Sequence, residues 1–219
     1  FPFSFRPGQK KMTAIAYQAM ENKKHIFLQA PTGIGKTIST LYPALKELGA
    51  EKAENIFYLT AKTITRTVAE DTIKLLKKQG LFLAAVTITA KEKICIQEEM
   101  QCNPENCERA KGHFDRINEA LYALLCAECE INRENLLLYA EKYKVCPYEL
   151  SFEVAAWADC IICDYNYVFD PHVNRKSLIE GSLRQNIYLI DEAHNLLDRT
   201  RDMYSADIAK SDFKVPTKY

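Results

Sequence analysis

Two groups of residues have the types and spacing that nucleotide chemistry requires. The first is the run Ala30-Pro31-Thr32-Gly33-Ile34-Gly35-Lys36-Thr37, which follows an apolar segment at 25–29 and precedes a helical pattern. Glycine lets a loop turn tightly and approach a ligand closely, and the amides and dipole of a helix start attract an anion. Lys36 would reach the β- and γ-phosphates, and the Thr37 hydroxyl would bind Mg²⁺. The run therefore predicts a phosphate-binding loop in a relaxed form, since Ala30 stands where the strict pattern has glycine; the alternative is a structural glycine turn.

The second group is a pair of carboxylates at the end of an apolar run. Residues 187–190 lead directly into Asp191-Glu192-Ala193-His194. A carboxylate at a strand end can hold Mg²⁺, and its neighbour can orient and deprotonate an attacking water. We expect Asp191 to take the first role and Glu192 the second. Downstream of a phosphate loop the pair predicts ATP hydrolysis, in which catalysis comes from positioning and charge neutralisation.

Predicted strands and helices alternate along the chain and would position both groups. Strands are predicted from apolar runs and helices from helical periodicity, the strands at 25–29, 55–60, 83–89, 160–164 and 187–191 and the helices at 9–21, 36–48 and 64–78. The runs lack period-two alternation, so we expect strands that are buried on both faces. Strand–helix alternation of this kind predicts an α/β fold with a parallel sheet covered by helices.

The chain changes character between residues 91 and 150. Charged residues and cysteines dominate there, and no run has the signature of a buried strand. Segments 114–128 and 133–142 have the leucine stripes of amphipathic helices. We interpret residues 91–150 as a small helical insertion into a domain formed by residues 1–90 and 151–219.

The composition is that of an ordinary globular chain. Hydrophobic residues make up 47% and charged residues 26% of the 219 residues, and 29 basic side chains balance 29 acidic ones. Net charge therefore argues neither for nor against a nucleic-acid partner. No apolar run approaches the roughly 18 residues of a membrane span, and the opening residues form no signal peptide and lack an initiator Met, which suggests a trimmed chain. With a phosphate loop present, we expect a cytoplasmic enzyme whose thiols are reduced or metal-bound.

All eight cysteines lie between residues 95 and 163. Four of them, Cys95, Cys102, Cys107 and Cys146, follow the pattern C-x6-C-x4-C-x38-C. Four thiolates suit a [4Fe–4S] cluster or a tetrahedral Zn²⁺ ion, and the spacing does not choose between them. Unligated cysteines are the third possibility, because free cysteine is commonly a small buried hydrophobe. A metal centre would staple an insertion with too little apolar core to fold alone.

The other four cysteines are expected to pack in the core. Cys126 and Cys129 form a C-x-x-C pair inside or just past the helix predicted at 114–128, a spacing that also suits metal or redox chemistry. Cys160 and Cys163 lie on a predicted strand. Free cysteine is among the most buried residue types, which favours packing for both pairs.

At these motifs the sequence resembles the superfamily 2 helicases with a DEAH box, and it is most similar to the XPD/DinG group in a bacterial, DinG-like form. The resemblance rests on the two nucleotide motifs, on Lys93-Ile94-Cys95, on Cys146-Pro147-Tyr148-Glu149 with the intervening cysteines, and on the run 163–171. It implies a RecA-like first motor domain that binds ATP and Mg²⁺. It also implies that Cys95, Cys102, Cys107 and Cys146 hold a [4Fe–4S] cluster.

The resemblance implies a function as well. Members of this group are ATP-dependent DNA helicases that move 5′ to 3′ along single-stranded DNA and unwind forked duplex DNA, and a second motor domain supplies arginines to their ATP site. The motifs of that second domain do not occur in these 219 residues, so we expect a partial motor. Two alternatives stay open: a nucleotide-gated DNA-binding module that never unwinds, and a zinc-stapled scaffold with a degenerate ATP site.

Candidate DNA contacts come from the same resemblance. Thr60, Lys62 and Thr63 stand where the group has a strand-end loop that touches the DNA backbone, and Lys91 matches a basic position that it uses near DNA. Tyr165 could stack on a base. Solvated lysines and a core tyrosine are the alternatives, because phosphate contacts leave little trace in local sequence.

Candidate nucleotide contacts form one compact set. Gln9 lies upstream of the phosphate loop, where its amide could pair with an adenine edge; a solvated Gln at a helix start is the alternative. The full set predicted to bind the nucleotide is Gln9, Ala30, Thr32, Gly33, Ile34, Gly35, Lys36 and Thr37.

Overall fold

The computed structural model describes residues 1–61, 63–128, 130–173 and 186–208. Two residues with predicted roles, Lys62 and Cys129, lie outside the described residues.

A five-stranded parallel sheet forms the centre of the described structure. Its strands are β1 (Asn55–Thr60), β2 (Ala85–Thr87), β3 (Glu130–Ile131), β4 (Cys160–Asp164) and β5 (Asn186–Ile190). They are arranged in the order β3-β2-β4-β1-β5, and every neighbouring pair is parallel. The predicted α/β fold with a parallel sheet is therefore confirmed.

Helices surround the sheet and connect its strands. They are α1 (Gln9–Glu21), α2 (Lys36–Gly49), α3 (Thr63–Lys77), α4 (Lys91–Ile94), α5 (His113–Ala127), α6 (Arg133–Tyr143), α7 (Pro147–Ala155), α8 (Asn166–Phe169) and α9 (Leu196–Met203), with a 3₁₀ turn at Ala193–Asn195. Local sequence explains several boundaries. The Asn132 side chain accepts hydrogen bonds from two free amides at the start of α6, and α7 begins with Pro147, whose missing amide proton is not needed there.

Two apolar cores lie on opposite faces of the sheet because successive strand residues point in opposite directions. In β1, Ile56 and Tyr58 belong to a core that includes residues of α2 and α3, such as Leu41 and Ile73. Phe57 and Leu59 belong to the other core, which α5, α6 and α7 help to form. Each face of the central strands is thus covered, as their apolar sequences predict.

The insertion at 91–150 contributes directly to the second core. Ile117 and Leu124 of α5, Leu136 of α6 and Leu150 of α7 are buried in one cluster with Phe57 of the sheet. Its helices therefore share the core of the sheet, and the expectation that the insertion has too little apolar core to fold alone stays a prediction. The insertion also adds β3, a two-residue strand that no sequence pattern indicated, in parallel to β2.

The strand predicted at 25–29 is not formed. These residues have no strand assignment, and among the described residues β5 pairs only with β1. Phe27 is 92% exposed. An apolar run shows that a segment can enter a sheet, but ladder pairing depends on a partner edge, which local sequence does not specify.

Two further strands differ from prediction in extent or burial. The run 83–89 forms a strand only at Ala85–Thr87. In β5, Leu189 alone is buried, and Tyr188 is 38% exposed. The prediction that both faces of the strand are buried was therefore wrong for β5. This strand lies at the edge of the described sheet and pairs there with β1 alone.

No helix within the described ranges combines the length and the apolar character that crossing a bilayer requires.

The shared core predicts that the insertion and the sheet unfold together. Leu124→Ala removes a fully buried side chain of α5, and we expect it to lower the free energy of unfolding by about 2–5 kcal/mol. The matched control is Leu138→Ala on α6, because Leu138 is 63% exposed and its loss should cost under about 0.5 kcal/mol. Urea unfolding followed by tyrosine fluorescence and by circular dichroism should show one shifted transition. A separate early transition of the insertion, with the sheet unaffected, would contradict the shared core.

Candidate functional site

The two nucleotide motifs meet at the carboxyl edge of the sheet. The Asp191 amide continues the ladder beyond β5 by donating to the Leu59 carbonyl at 2.9 Å. The loop at 30–35 leads into α2, whose first residue is Lys36. The ends of parallel strands and the start of the following helix are the usual place for a ligand in such a fold.

Arg6 and Gln9, just before and at the start of α1, hold the phosphate loop. Gly35 has φ +88°, and a Cβ atom built there would lie 2.5 Å from Nε2 of Gln9, so both backbone and space favour glycine. Arg6 donates from its guanidinium to the Gly33 carbonyl, and its amide donates to Oε1 of Gln9 at 3.0 Å. Gln9 is 4% exposed, so the alternative of a solvated Gln was wrong, and adenine pairing by Gln9 stays a prediction.

The outer part of the loop is open. Thr32 and Gly33 are exposed, and Ala30 and Ile34 are partly exposed. Ile34 leans toward Gly8, where a Cβ atom would lie 3.1 Å from its Cδ1. The loop therefore presents backbone to solvent on the side where a phosphate chain could approach.

Lys36 connects the two motifs. Its Nζ lies 3.4 Å from the carbonyl oxygen of Ala30 and 3.7 Å from Oε1 of Glu192. About a third of each charged side chain is exposed, and exposed ion pairs of this kind contribute at most about 1 kcal/mol. An anionic ligand could therefore replace Glu192 as the partner of Lys36 with little loss of free energy.

Tyr58 joins Thr37 to Asp191. The Tyr58 hydroxyl lies 3.5 Å from Oγ1 of Thr37 and is hydrogen-bonded to the Asp191 carboxylate. Burial, followed by the nearby Asp191 charge, raises the pKa of Tyr58 well above its usual range. Burial likewise raises the pKa of Asp191, because a charged carboxylate loses hydration there.

These groups fit a Mg²⁺ ion. The Thr37 hydroxyl and the Asp191 carboxylate flank one tyrosine oxygen, and hydroxyl and carboxylate oxygens are the ligands that Mg²⁺ prefers. A half-buried carboxylate whose pKa is raised would also gain from a nearby cation. Thr37 and Asp191 could therefore hold Mg²⁺ directly or through water.

Glu192 has an unusual backbone conformation. Its φ of +50° lies in the left-handed region, which costs a non-glycine residue roughly 1–2 kcal/mol. Its amide donates to Oδ1 of Asp191 at 3.0 Å, and its carbonyl accepts from the Asn195 amide and from Nδ2 of Asn195. Its carboxylate also lies 3.5 Å from Nδ1 of the exposed His194. The turn after β5 is thus held by several hydrogen bonds.

Tyr165 supports the same turn from the core. The side chain has no exposed surface, and its hydroxyl donates to the Asp191 carbonyl and lies 3.2 Å from the Glu192 carbonyl. Burial raises the pKa of Tyr165 to about 12. The hypothesis that Tyr165 stacks on a base was therefore wrong, because its ring is enclosed by protein.

The candidate DNA contacts are only partly available. Thr60 is 3% exposed and its hydroxyl is hydrogen-bonded to Thr65, so a side-chain contact of Thr60 with DNA does not fit this structure. Thr63 begins α3 at the carboxyl edge of the sheet. Lys91 begins α4 and extends its Nζ to 5.5 Å from the centre of the Tyr148 ring.

Two arginines of the insertion serve its own structure. Arg109 donates to the Ala140 carbonyl at 2.7 Å and pairs with Glu141. Arg116 donates to the carbonyls of Lys111 and Lys144, each at 2.8 Å. These bonds fix the loop before α5 to the end of α6, so both arginines have structural partners within the insertion.

Three of the four cysteines of the predicted metal centre lie in the loop between α4 and α5, and the fourth precedes α7. Cys95 ends α4 and Cys146 caps α7. Cys102 is exposed; a hydrogen bond to Cys102 is the main reason that the pKa of Lys91 is raised, and Cys146 adds to it. Across the described ranges, no three His, Cys, Asp or Glu side chains are arranged to hold a metal ion. The four thiols as placed do not form a ligand set.

The other cysteines divide into two groups. Cys160 and Cys163 are buried in the sheet, as predicted, and burial raises the pKa of Cys160 to about 12. Cys126 is exposed on α5, so core packing was wrong for this residue. Helical periodicity places it on the side of α5 away from Leu124, which faces the core.

Sequence reasoning missed three residues of the site. Arg6 and Tyr58 were given no role, and Tyr165 was given a different one. Tyr58 stands two residues before the end of β1, so strand alternation together with its hydroxyl could have indicated a polar contact near the strand end. Nothing in the local sequence indicates the contacts of Arg6 and Tyr165, because they join segments far apart in the chain.

Comparison with known proteins supplies relatives over nearly the whole chain. The chain is 23% identical over 265 aligned residues to a regulator of telomere elongation helicase 1 homolog of Anopheles gambiae, and the alignment covers 97% of this chain and 26% of the relative. A probable ATP-dependent helicase of Methanocaldococcus jannaschii is 27% identical, covering 92% of this chain and 30% of the relative. A Fanconi anemia group J protein homolog of Gallus gallus is 36% identical over 78 residues, covering 36% of this chain and 6% of the relative. The chain thus spans about a third or less of these relatives.

Solved structures share the fold. An XPD helicase structure matches with a TM-score of 0.62 and 21% identity, covering 91% of this chain and 34% of the other. A truncated XPD matches with a TM-score of 0.60 and 20% identity, covering 88% and 54%. At this identity the likeness establishes the fold.

Family comparison agrees with the two motifs at the carboxyl edge. The DEAD/DEAH box helicase family matches residues 6–108, which include the phosphate loop. The DEAD_2 family matches residues 59–213, which include the cysteines and the Asp191–Glu192 pair. Because this second match covers well over half of the sequence, the chain belongs to the DEAD_2 helicase family.

Proposed function

We propose that this chain is the first motor domain of an ATP-dependent DNA helicase and that the carboxyl edge of its sheet hydrolyses ATP. The observation that carries the proposal is the 3.7 Å approach of Lys36 Nζ to Glu192 Oε1, which brings together two motifs more than 150 residues apart. Relatives named as helicases align over almost the whole chain.

The chemistry follows from the placement of each group. Lys36 and the amides at the start of α2 would neutralise the β- and γ-phosphates. Thr37 and Asp191 would hold Mg²⁺, which supplies further charge neutralisation. Glu192 would orient and deprotonate the attacking water. No covalent intermediate with the protein is needed, since phosphoryl transfer here depends on position and charge.

The proposed motor needs a second domain in addition to this one. In this proposal a second motor domain of the same protein closes over the nucleotide and completes the site, and ATP-driven opening and closing moves the protein 5′ to 3′ along single-stranded DNA toward a forked duplex. Thr63 at the start of α3 and Lys91 remain candidate DNA contacts. The proposal keeps a cytoplasmic location for this enzyme, because its described cysteines are free thiols and thiols are kept reduced there.

Substitution of the two central side chains tests the nucleotide site. In the full-length protein, Lys36→Ala should weaken ATP binding and reduce hydrolysis by about a hundredfold or more, because the main positive charge on the phosphates is lost. Glu192→Gln should bind ATP normally and slow hydrolysis by about a hundredfold or more, because the base is lost. The control is Lys46→Ala, an exposed lysine of the same helix α2. Binding is measured with a fluorescent ATP analogue, and hydrolysis by phosphate release.

The same assay can reject the proposal. Unchanged ATP turnover in Lys36→Ala would remove the phosphate-loop assignment, and unchanged turnover in Glu192→Gln would remove the base. DNA-stimulated hydrolysis without strand separation by the intact protein would favour a nucleotide-gated DNA-binding module instead.

We also propose that the insertion binds a [4Fe–4S] cluster through Cys95, Cys102, Cys107 and Cys146. Support comes from the sequence spacing and from the packing of α4 against α7, which carries two of these residues to neighbouring helix ends. Because α5, α6 and α7 pack in the core that they share with the sheet, the cluster in this proposal orders the loop rather than the whole insertion.

Metal analysis of matched cysteine variants tests the cluster. Cys102→Ser should lower the iron and sulfide content of anaerobically purified protein and weaken its visible absorption, since a ligand is lost. Cys126→Ser is the control, because Cys126 is an exposed cysteine of the same insertion outside the proposed set. Full iron content in Cys102→Ser would contradict the assignment. One zinc per chain without visible absorption would favour the zinc-stapled alternative.

A further inference from the structure

A buried tyrosine lies directly behind the two carboxylates of the proposed ATP site. Tyr165 follows β4, and its hydroxyl donates to the carbonyl of Asp191 and lies 3.2 Å from the carbonyl of Glu192. None of its side chain is exposed. Tyr165 therefore contacts the backbone that carries the two carboxylates, and its side chain is not accessible to a nucleotide or to DNA.

The turn that Tyr165 supports needs external support. Glu192 has a left-handed φ of +50°, a conformation that persists in a non-glycine residue only when the surroundings hold it. Its carbonyl also accepts from Asn195, whose amide lies at 2.9 Å and whose Nδ2 lies at 3.0 Å. Loss of one donor would let the turn relax, and both carboxylates would change direction.

Tyr165 is itself held rigidly on both sides. The Asp164 carboxylate accepts from the Asn166 amide at 3.0 Å and from the Arg199 guanidinium at 2.9 Å. The same guanidinium donates to Oδ1 of Asn166 at 2.9 Å. Arg199 belongs to α9, which follows the carboxylate turn in the chain. The segment after β4 and the segment after β5 are therefore joined into one closed network.

We propose that Tyr165 is a positioning residue for ATP hydrolysis, whose hydroxyl fixes the Asp191–Glu192 turn so that one carboxylate meets Mg²⁺ and the other meets the attacking water. This inference rests on the proposed function. Tyr165 contacts neither ATP nor water in this proposal. Its loss should therefore change the rate of the chemical step and the Mg²⁺ concentration that the reaction requires. The phosphate loop, which binds the nucleotide from the other side, is left intact.

The test is Tyr165→Phe in the full-length protein, a change that removes one oxygen and keeps the ring. We expect kcat for ATP hydrolysis to fall by about tenfold, as the loss of one buried hydrogen bond in the transition state would give. The Mg²⁺ concentration for half-maximal rate should rise, and the affinity for a fluorescent ATP analogue without Mg²⁺ should not change.

Tyr167→Phe is the matched control. Tyr167 is a buried tyrosine of α8 whose ring lies 5.7 Å from the ring of Phe152, and its hydroxyl is hydrogen-bonded to Tyr148, away from the carboxylate turn. It should leave kcat and the Mg²⁺ requirement unchanged. Thermal melting of both variants measures any general loss of stability.

Each outcome decides the question. The inference would be overturned if Tyr165→Phe kept the wild-type kcat and the wild-type Mg²⁺ requirement. It would also be overturned if Tyr165→Phe and Tyr167→Phe lost kcat equally, each in proportion to its loss of melting temperature. If Tyr165→Phe does not fold, Asn195→Ala is the second test, because it removes another donor to the Glu192 carbonyl. We expect it to lower kcat and to leave the affinity for ATP unchanged. A wild-type kcat in Asn195→Ala would overturn the inference. Absence of ATP hydrolysis by the wild-type protein would overturn the proposed function itself, which separates the two failures.

Discussion

The proposed ATP site is organised around a half-buried carboxylate at the end of β5. Asp191 continues the ladder from β5 through its amide, while burial raises the pKa of its side chain. A carboxylate in such a place is unfavourable unless a cation or hydrogen-bond donors compensate for lost hydration. Tyr58 supplies a donor, and Lys36 lies close by. In the proposed site, Mg²⁺ would add further positive charge beside this carboxylate.

The same edge explains how the rest of the chain is used. The two faces of the sheet are closed by separate cores, so the strand ends are rigid and the loops that leave them carry the chemistry. Helices of the insertion complete one core, and Tyr165 and Leu150 belong to it together. The packing of the insertion and the geometry of the carboxylates thus rest on one set of buried side chains.

Elements with strong local signals were predictable, and those set by distant partners were not. Helix α1 and strand β1 have the predicted bounds, because amphipathic and continuous apolar patterns are local. The convergence of Lys36 and Glu192 followed from the rule that ligands bind at the carboxyl ends of parallel strands. The failure at 25–29 and the burial of Tyr165 have a common cause. Pairing of a strand and enclosure of a ring depend on residues more than 20 positions away, which periodicity does not record.

The most direct test of the central claim is a crystal structure of the full-length protein with Mg²⁺ and a non-hydrolysable ATP analogue. We expect the triphosphate to lie on the backbone of residues 30–37, with Lys36 Nζ moved from Glu192 to the phosphates. Mg²⁺ should lie between the Thr37 hydroxyl and Asp191, with Tyr165 still bonded to the Asp191 carbonyl. A nucleotide bound elsewhere, or a metal ion that neither Thr37 nor Asp191 approaches, would contradict the claim that the two motifs form one hydrolytic site.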